Sequence, residues 1–290
     1  MKIFNIFKPL VEKIPLLAEC YRFLRDSKSL NSEVIFREQL GFFFNGSESM
    51  EKGEFDPNDT VIIENLLNSF DIFINIGANT GYFVCKSLKK GVQTIAFEPN
   101  QYNVKMLLKN VQANKFATDF HFFPVALSNK SGVLPMYGAY TAASLIDGWM
   151  GQKKRTLVPV TTFDKVASSL IKNKSCFVVI DIEGAELDCL KGAHNLLNSK
   201  NDIVFLIEIS VVGHFTKSLN TINLNLYETF SLMDSYGYKA YTANNELRKI
   251  ELSEILSINH LNKDTLNTPN FIFAKKKEFI SKLISIKNNH

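Results

Sequence analysis

The 290-residue chain has only four cysteines, Cys20, Cys85, Cys176 and Cys189, and no Cys-x-x-Cys pair among them. That excludes the commonest zinc and redox motifs. Three of the four fall in segments that read as helix or strand core, so reduced thiols in a cytoplasmic protein are expected. Long apolar runs are missing too: no stretch reaches the roughly 18 residues of a membrane helix. The hydrophobic stretches of Met1 to Cys20 are broken by Lys8, Pro9, Glu12, Lys13 and Pro15. Neither a transmembrane span nor a cleaved signal is expected, and this segment reads as an amphipathic helix that packs on its own domain or lies on a surface. Excess charge of one sign is scarce: 33 basic against 29 acidic residues leave +4, too weak a field for a nucleic-acid binder. There is no internal repeat and no low-complexity linker. What remains, a chain that is 46% hydrophobic, is too apolar to stay unfolded.

From about residue 70, apolar runs rich in β-formers alternate with helical patterns, the signature of βαβ units around a mostly parallel sheet. Strands are expected at 71–76, 92–97, 119–125, 176–180, 203–209, 238–242 and 270–274, the last two pairing antiparallel at an edge. The run Cys176 to Ile180 is uninterrupted, as in a strand buried on both faces. Helices are expected where Val104, Leu107, Leu108 and Val111 recur with a 3.6-residue period, where Leu187, Leu190, Ala193 and Leu197 line one side, and where Ile222, Leu226, Phe230 and Met233 do. Residues 1–68 are expected to form a largely helical N-terminal cap, 69–277 the α/β domain and 278–290 a tail. The span 131–158, with four glycines and little periodicity, reads as a functional loop.

The first strand runs into Asn75-Ile76-Gly77-Ala78-Asn79-Thr80-Gly81, and the second ends in Phe97-Glu98-Pro99, so an acid follows Gly77 by 21 positions. In an open parallel sheet these groups meet in the crevice at the strand ends, where the order reverses. Glycine lets the backbone approach a ligand closely, and a carboxylate can accept both hydroxyls of a ribose. A nicotinamide site would show Gly-x-Gly-x-x-Gly to seat a pyrophosphate on the helix. Here the spacing is Gly-x-x-x-Gly. A ribose acceptor without a phosphate cradle favours S-adenosylmethionine, which has no phosphate. The competing structural reading is a tight turn whose acid caps the next helix.

The segments Asn75 to Phe83, Ala96 to Asn100, Val125 to Ser128, Val158 to Val166, Val179 to Gly192 (VIDIEGAELDCLKG) and Phe205 to Ile209 resemble the ordered blocks of the FkbM family of methyltransferases. The resemblance spans roughly Gly53 to Lys275. It implies a class I methyltransferase fold: Rossmann-like α/β, with a doubly wound, mostly parallel seven-stranded sheet. It implies S-adenosylmethionine held by Asn75, Gly77, Ala78, Asn79, Gly81, Tyr82, Glu98, Pro99, Asn100, Ala126 and Asp181. It further implies O-methylation of a small-molecule or glycan acceptor, a sugar or other secondary-metabolite hydroxyl. The family usually has aspartate where this chain has Asn75; asparagine keeps an acceptor oxygen and loses the charge.

Methyl transfer to a hydroxyl needs the oxygen aligned and its proton removed. Asp181, closing the fourth strand, is the first candidate, with Glu183, Glu208 at the end of the fifth strand, and His214 in the loop beyond. Asp181 also suits a helix N-cap, and Glu186 suits the positive end of a helix dipole. Asp181 and Glu208 are oxygen donors of the kind magnesium or calcium takes, but no metal is assigned. His121 and His194 read as structural. Tyr137, Tyr140 and Trp149, followed by Lys153-Lys154-Arg155, would grip an acidic sugar or form an ordinary packed and solvated stretch. A nucleic-acid methyltransferase is disfavoured, since Asp181-Ile182-Glu183-Gly184 stands where amino-methylating enzymes place a polar residue before Pro-Pro-aromatic.

Overall fold

The computed structural model describes residues 30–116, 118–138, 143–147, 155–212, 222–244 and 246–281. Predominantly apolar runs become the central strands because each is covered on both faces. Strands β3 (Ile72–Ile76) and β9 (Cys176–Ile180) are buried along their whole length, and β4 (Gln93–Phe97) and β10 (Ile203–Glu208) nearly so. Side chains alternate across the sheet. Ile72, Ile74, Ile76, Val178 and Ile207 belong to one core layer, while Phe73, Phe177, Val204 and Leu206 face the opposite layer, which contains Ile62, Ile63 and Leu66.

The main sheet has the order β12-β11-β13-β10-β9-β3-β4-β5. Its other members are β5 (Phe120–Phe123), β11 (Lys239–Thr242), β12 (Lys249–Ile250) and β13 (Asn270–Ala274). All seven expected strands are present, and the two-residue β12 adds an eighth at the edge. Strands β5, β4, β3, β9 and β10 run parallel, and β13 lies antiparallel between β10 and β11. The chain order reverses between β3 and β9, which puts a crevice at their C-terminal ends.

Three expectations need correction. Residues 35–44, expected to be helical with the rest of 1–68, form an antiparallel hairpin of β1 (Ile35–Arg37) and β2 (Phe42–Phe44). It precedes α1 (Glu48–Lys52) and α2 (Pro57–Leu66). Three-residue strands are too short to show a period. The span 131–158, read as an irregular loop, contains β7 (Gly132–Tyr137) and most of β8 (Arg155–Thr161), paired antiparallel beside β6 (Ala126–Leu127) in a separate sheet. Pro135 and Pro159 interrupt the alternation; proline donates nothing to a ladder and marks strands of small or edge sheets. The helix drawn through Leu187 to Leu197 is two helices, α6 (Glu186–Lys191) and α7 (His194–Leu197), broken at Gly192. A Cβ there would lie 2.1 Å from the Ser128 carbonyl oxygen.

The other helices are α3 (Tyr82–Lys89), α4 (Gln101–Ala113), α5 (Phe163–Ala167), α8 (Leu226–Ser235) and α9 (Leu252–Leu261). Cys85, Cys176 and Cys189 are free and buried; Cys20 lies outside the described residues. Among the described residues, no helix is long and apolar enough to cross a membrane.

Candidate active site

Between β3 and α3 the backbone must reverse in five residues, and it does so through left-handed conformations at Gly77 (φ 87°), Asn79 (φ 51°) and Gly81 (φ 88°). Asparagine tolerates this region because its side chain bonds locally: Asn79 Oδ1 accepts the Thr80 N–H at 2.8 Å. The Gly77 and Ala78 N–H groups both donate to the Phe97 carbonyl at 3.0 Å, tying the turn to β4.

Glu98 follows β4 directly and is only 5% exposed. Its two oxygens accept from different loops, Oε2 from the Asn79 N–H and Oε1 from the Asn100 N–H, each at 2.8 Å. The Asn103 side chain adds a further hydrogen bond. Burial nevertheless pushes the Glu98 carboxyl up to about 7, because the backbone and Asn103 donors only partly offset desolvation. Each carboxylate oxygen has about two acceptor sites, so accepting capacity remains toward the cleft. Three of those roughly four sites are taken, which leaves one to accept from a ligand hydroxyl such as one of a ribose. Asn100 itself is the N-cap of α4, its side chain accepting from the Tyr102 and Asn103 N–H groups.

A cleft at these strand ends is lined by Gly77, Asn79, Glu98, Pro99, Ala126, Asp181 and Glu183 from the expected set. Of the remaining expected residues, Asn75 is 2% exposed within β3, and Ala78 and Tyr82 are also buried; Gly81 is the N-cap of α3. The Tyr82 hydroxyl has no hydrogen-bond partner among the described residues. His214 lies outside the described residues, as do Tyr140, Trp149, Lys153 and Lys154. Tyr137 and Arg155 pair across β7 and β8. His121 sits in β5, and His194 Nδ1 is 2.6 Å from the Tyr236 hydroxyl.

The acidic groups gather at the ends of β9 and β10. The helix after β9 starts only at Glu186, with Ala185 as its N-cap, so Asp181 caps no helix. Asp181 instead shares a side-chain hydrogen bond with Glu208. Burial raises both carboxyls, and the nearby Asp181 charge raises Glu208 further. Glu183, in a left-handed conformation (φ 58°), is pushed up to about 7 by burial and by Asp181. Its carbonyl accepts the Ser144 hydroxyl at 2.6 Å, fastening the segment after β7 over this turn. Glu186 is 3% exposed, and Oε1 accepts the Gly184 N–H at 2.8 Å. Burial lifts its carboxyl to about 8.

Sequence reading missed Asp56, which precedes α2 in a left-handed conformation (φ 38°) without capping the helix through its side chain. Its charge raises both Asp181 and Glu208. The only available signal was Asp-Pro, a helix-start pattern that says nothing of a site. Met136, Ala143 and Leu145, which also line the cleft, come from the span read as a functional loop. Among the described residues, no three His, Cys, Asp or Glu side chains are grouped to hold a metal ion.

Raised carboxyls favour the protonated form in the folded state. Their contribution to stability is fully present below the ordinary value near 4.5 and is lost as pH rises through the folded value. For Glu186 that window runs from 4.5 to about 8. Glu186→Gln keeps an acceptor for the Gly184 N–H and cannot ionise. Its melting temperature is therefore expected to gain on the wild type progressively across that window; a pH-independent difference in thermal melts would contradict the assignment.

The family model described as Methyltransferase FkbM domain matches residues 75–240, more than half of the chain. No curated protein matches the sequence. Solved structures with a similar fold include a precorrin-6y C5,15-methyltransferase from Geobacter metallireducens GS-15, at 12% identity and TM-score 0.39, covering 83% of this chain and 98% of that one. Another is a SAM-dependent methyltransferase from Agrobacterium tumefaciens, at 12% identity and TM-score 0.39, covering 81% and 67%. A third is the plantazolicin methyltransferase BpumL in complex with SAH, at 10% identity and TM-score 0.35, covering 78% and 87%.

Proposed function

We propose that this chain, which belongs to the methyltransferase FkbM domain family and is an S-adenosylmethionine-dependent methyltransferase, methylates a hydroxyl oxygen of a sugar, glycan or other secondary metabolite. The observation that carries this reading is the group of carboxyls, Asp181, Glu183 and Glu208, on the strand ends beside the cleft that also holds Glu98. An alcohol keeps its proton far above neutral pH, so it needs a proton acceptor in place as the new bond forms.

When bound, S-adenosylmethionine supplies a methyl group activated by a positively charged sulfur. Glu98 would hold a ribose hydroxyl through its remaining lone pair, and the glycines of the β3–α3 turn would let the chain close on the ligand. Asp181 would accept a hydrogen bond from the acceptor hydroxyl and take up its proton as that oxygen is methylated. Glu208 holds Asp181 in place, and the half-buried Glu183 exchanges the proton with solvent. Met136 and Leu145 contribute apolar lining to the cleft.

Glu98→Gln is expected to weaken cofactor binding by about 1–3 kcal/mol, the order lost when a charge-assisted hydrogen bond becomes neutral. Wild-type affinity should fall as pH drops through about 7, where Glu98 protonates, and the variant should lose that dependence. Calorimetric titrations at several pH values check both. The acceptor reading is tested by incubating the purified protein with S-adenosylmethionine and a panel of sugars, hydroxylated metabolites and amines, with mass spectrometry of the products. Methyl groups found on nitrogen alone would refute it.

A further inference from the structure

Among the described residues, the hairpin β1–β2 leaves one edge of β2 unpaired by strand, and such an edge needs partners for its N–H and C=O groups. Two asparagines supply them, Asn110 within α4 and Asn114 at its C-cap. Asn114 Oδ1 accepts the Phe43 N–H at 2.8 Å, and Asn114 Nδ2 donates to the Phe43 carbonyl at 2.7 Å. Asn110 repeats the pattern one turn earlier: Oδ1 accepts the Asn45 N–H and Nδ2 donates to the Asn45 carbonyl, both at 2.9 Å. The match is metric. Residues i and i+4 of a helix rise about 6 Å and residues i and i+2 of a strand about 6.8 Å, so two carboxamides on one helix face imitate the edge of a neighbouring strand.

The two asparagines differ in one respect. Asn110 is fully buried, and its remaining amide hydrogen goes to the Thr80 carbonyl at 2.8 Å, inside the β3–α3 turn. The second Asn114 donor bond goes to the Asn110 carbonyl, within its own helix. From the cap side, Met50 Sδ also meets the Thr80 hydroxyl at 3.5 Å. We propose that Asn110 is a positioning residue for the cofactor turn: it holds Thr80 through its carbonyl and makes the N-terminal hairpin part of the cofactor-binding apparatus. The inference rests on the assignment of that turn to S-adenosylmethionine. It accounts for an asparagine in mid-helix, where its propensity is poor and where a merely apolar residue would pack as well. Asn110 touches no ligand; it sets the direction of the Thr80 peptide and so the shape of the turn from Ala78 to Gly81.

Asn114 is the internal control, because it docks the same hairpin with the same chemistry and does not reach the turn. Wild type, Asn110→Ser and Asn114→Ser would be titrated with S-adenosylhomocysteine by calorimetry, and their native-state amide exchange recorded. Asn110→Ser is expected to raise the dissociation constant about tenfold, the size of one lost buried hydrogen bond, and Asn114→Ser by no more than about twofold. Amide protection should fall at Gly81, whose N–H bonds the Ala78 carbonyl, only in Asn110→Ser, and at Phe43 in Asn114→Ser. Equal losses of affinity in the two variants, or unchanged exchange at Gly81 in Asn110→Ser, would overturn the proposal. A wild type that fails to bind would count against the cofactor assignment instead, and the Gly81 exchange would still decide the coupling.

Discussion

Replacing Asp181 by asparagine is expected to lower methyl transfer by about a hundredfold or more while cofactor affinity stays within severalfold. The substitution is nearly isosteric and caps no helix, since α6 begins five residues later. Its side-chain oxygen can still accept the hydrogen bond from Glu208. Removing one member of a crowded group of carboxyls also removes repulsion on Glu183 and Glu208, so the melting temperature should hold or rise slightly. A fall in turnover beside an unchanged fold therefore isolates the proton-accepting role. Single-turnover methyl transfer, once an acceptor is known, and a parallel cofactor titration provide the two readings. Near-normal turnover would sink the role proposed for Asp181 and move it to Glu183 or Glu208, or to His214.

Gly77→Ala should be the most damaging single substitution in the turn. The backbone there has φ 87°, and a Cβ would lie 1.8 Å from the Asp181 carbonyl oxygen and 2.8 Å from its carbon. Neither neighbour can withdraw: the Asp181 N–H is bonded to the Ile76 carbonyl at 3.0 Å, and the Gly77 N–H to Phe97. Conformational strain of about 1–2 kcal/mol and a backbone clash together predict a loss of about 3 kcal/mol or more. Cofactor binding should fail with it. Gly91→Ala separates the two causes, because Gly91 has φ 76° with nothing within 4 Å of the added carbon; it should cost only the strain. Urea denaturation of both variants checks the difference, provided the slope is unchanged. Equal losses at the two glycines would mean that the β3–β9 contact yields where it looks rigid.

The elements legible in the sequence are those whose environment is uniform along their length. Strands β3 and β9 are buried on both faces, so every residue except Asn75 is apolar and the runs announce themselves. Gly77, Asn79 and Glu98 were legible because turn geometry and the distance between consecutive parallel strands fix their spacing. The hairpins β1–β2 and β7–β8 were not, one because its strands are three residues long, the other because prolines and glycine break the alternation. Glu186 looked like a dipole partner in its helix's first turn, which it is by position; only packing reveals that it is also buried and raised.

By itself, the sequence determined the α/β architecture, the glycine turn and the acid at the next strand's end, because each follows from local backbone conformation and hydrophobic period. Tertiary structure alone decided which carboxyls crowd together and how tightly they hold protons. Desolvation and charge proximity depend on what packs around a group: Asp56 acts on Asp181 from a segment more than a hundred residues earlier. It alone also decided that Asn110 and Asn114 serve as a surrogate strand, since their partners at Phe43 and Asn45 lie 71 and 65 positions earlier, a separation no local pattern encodes.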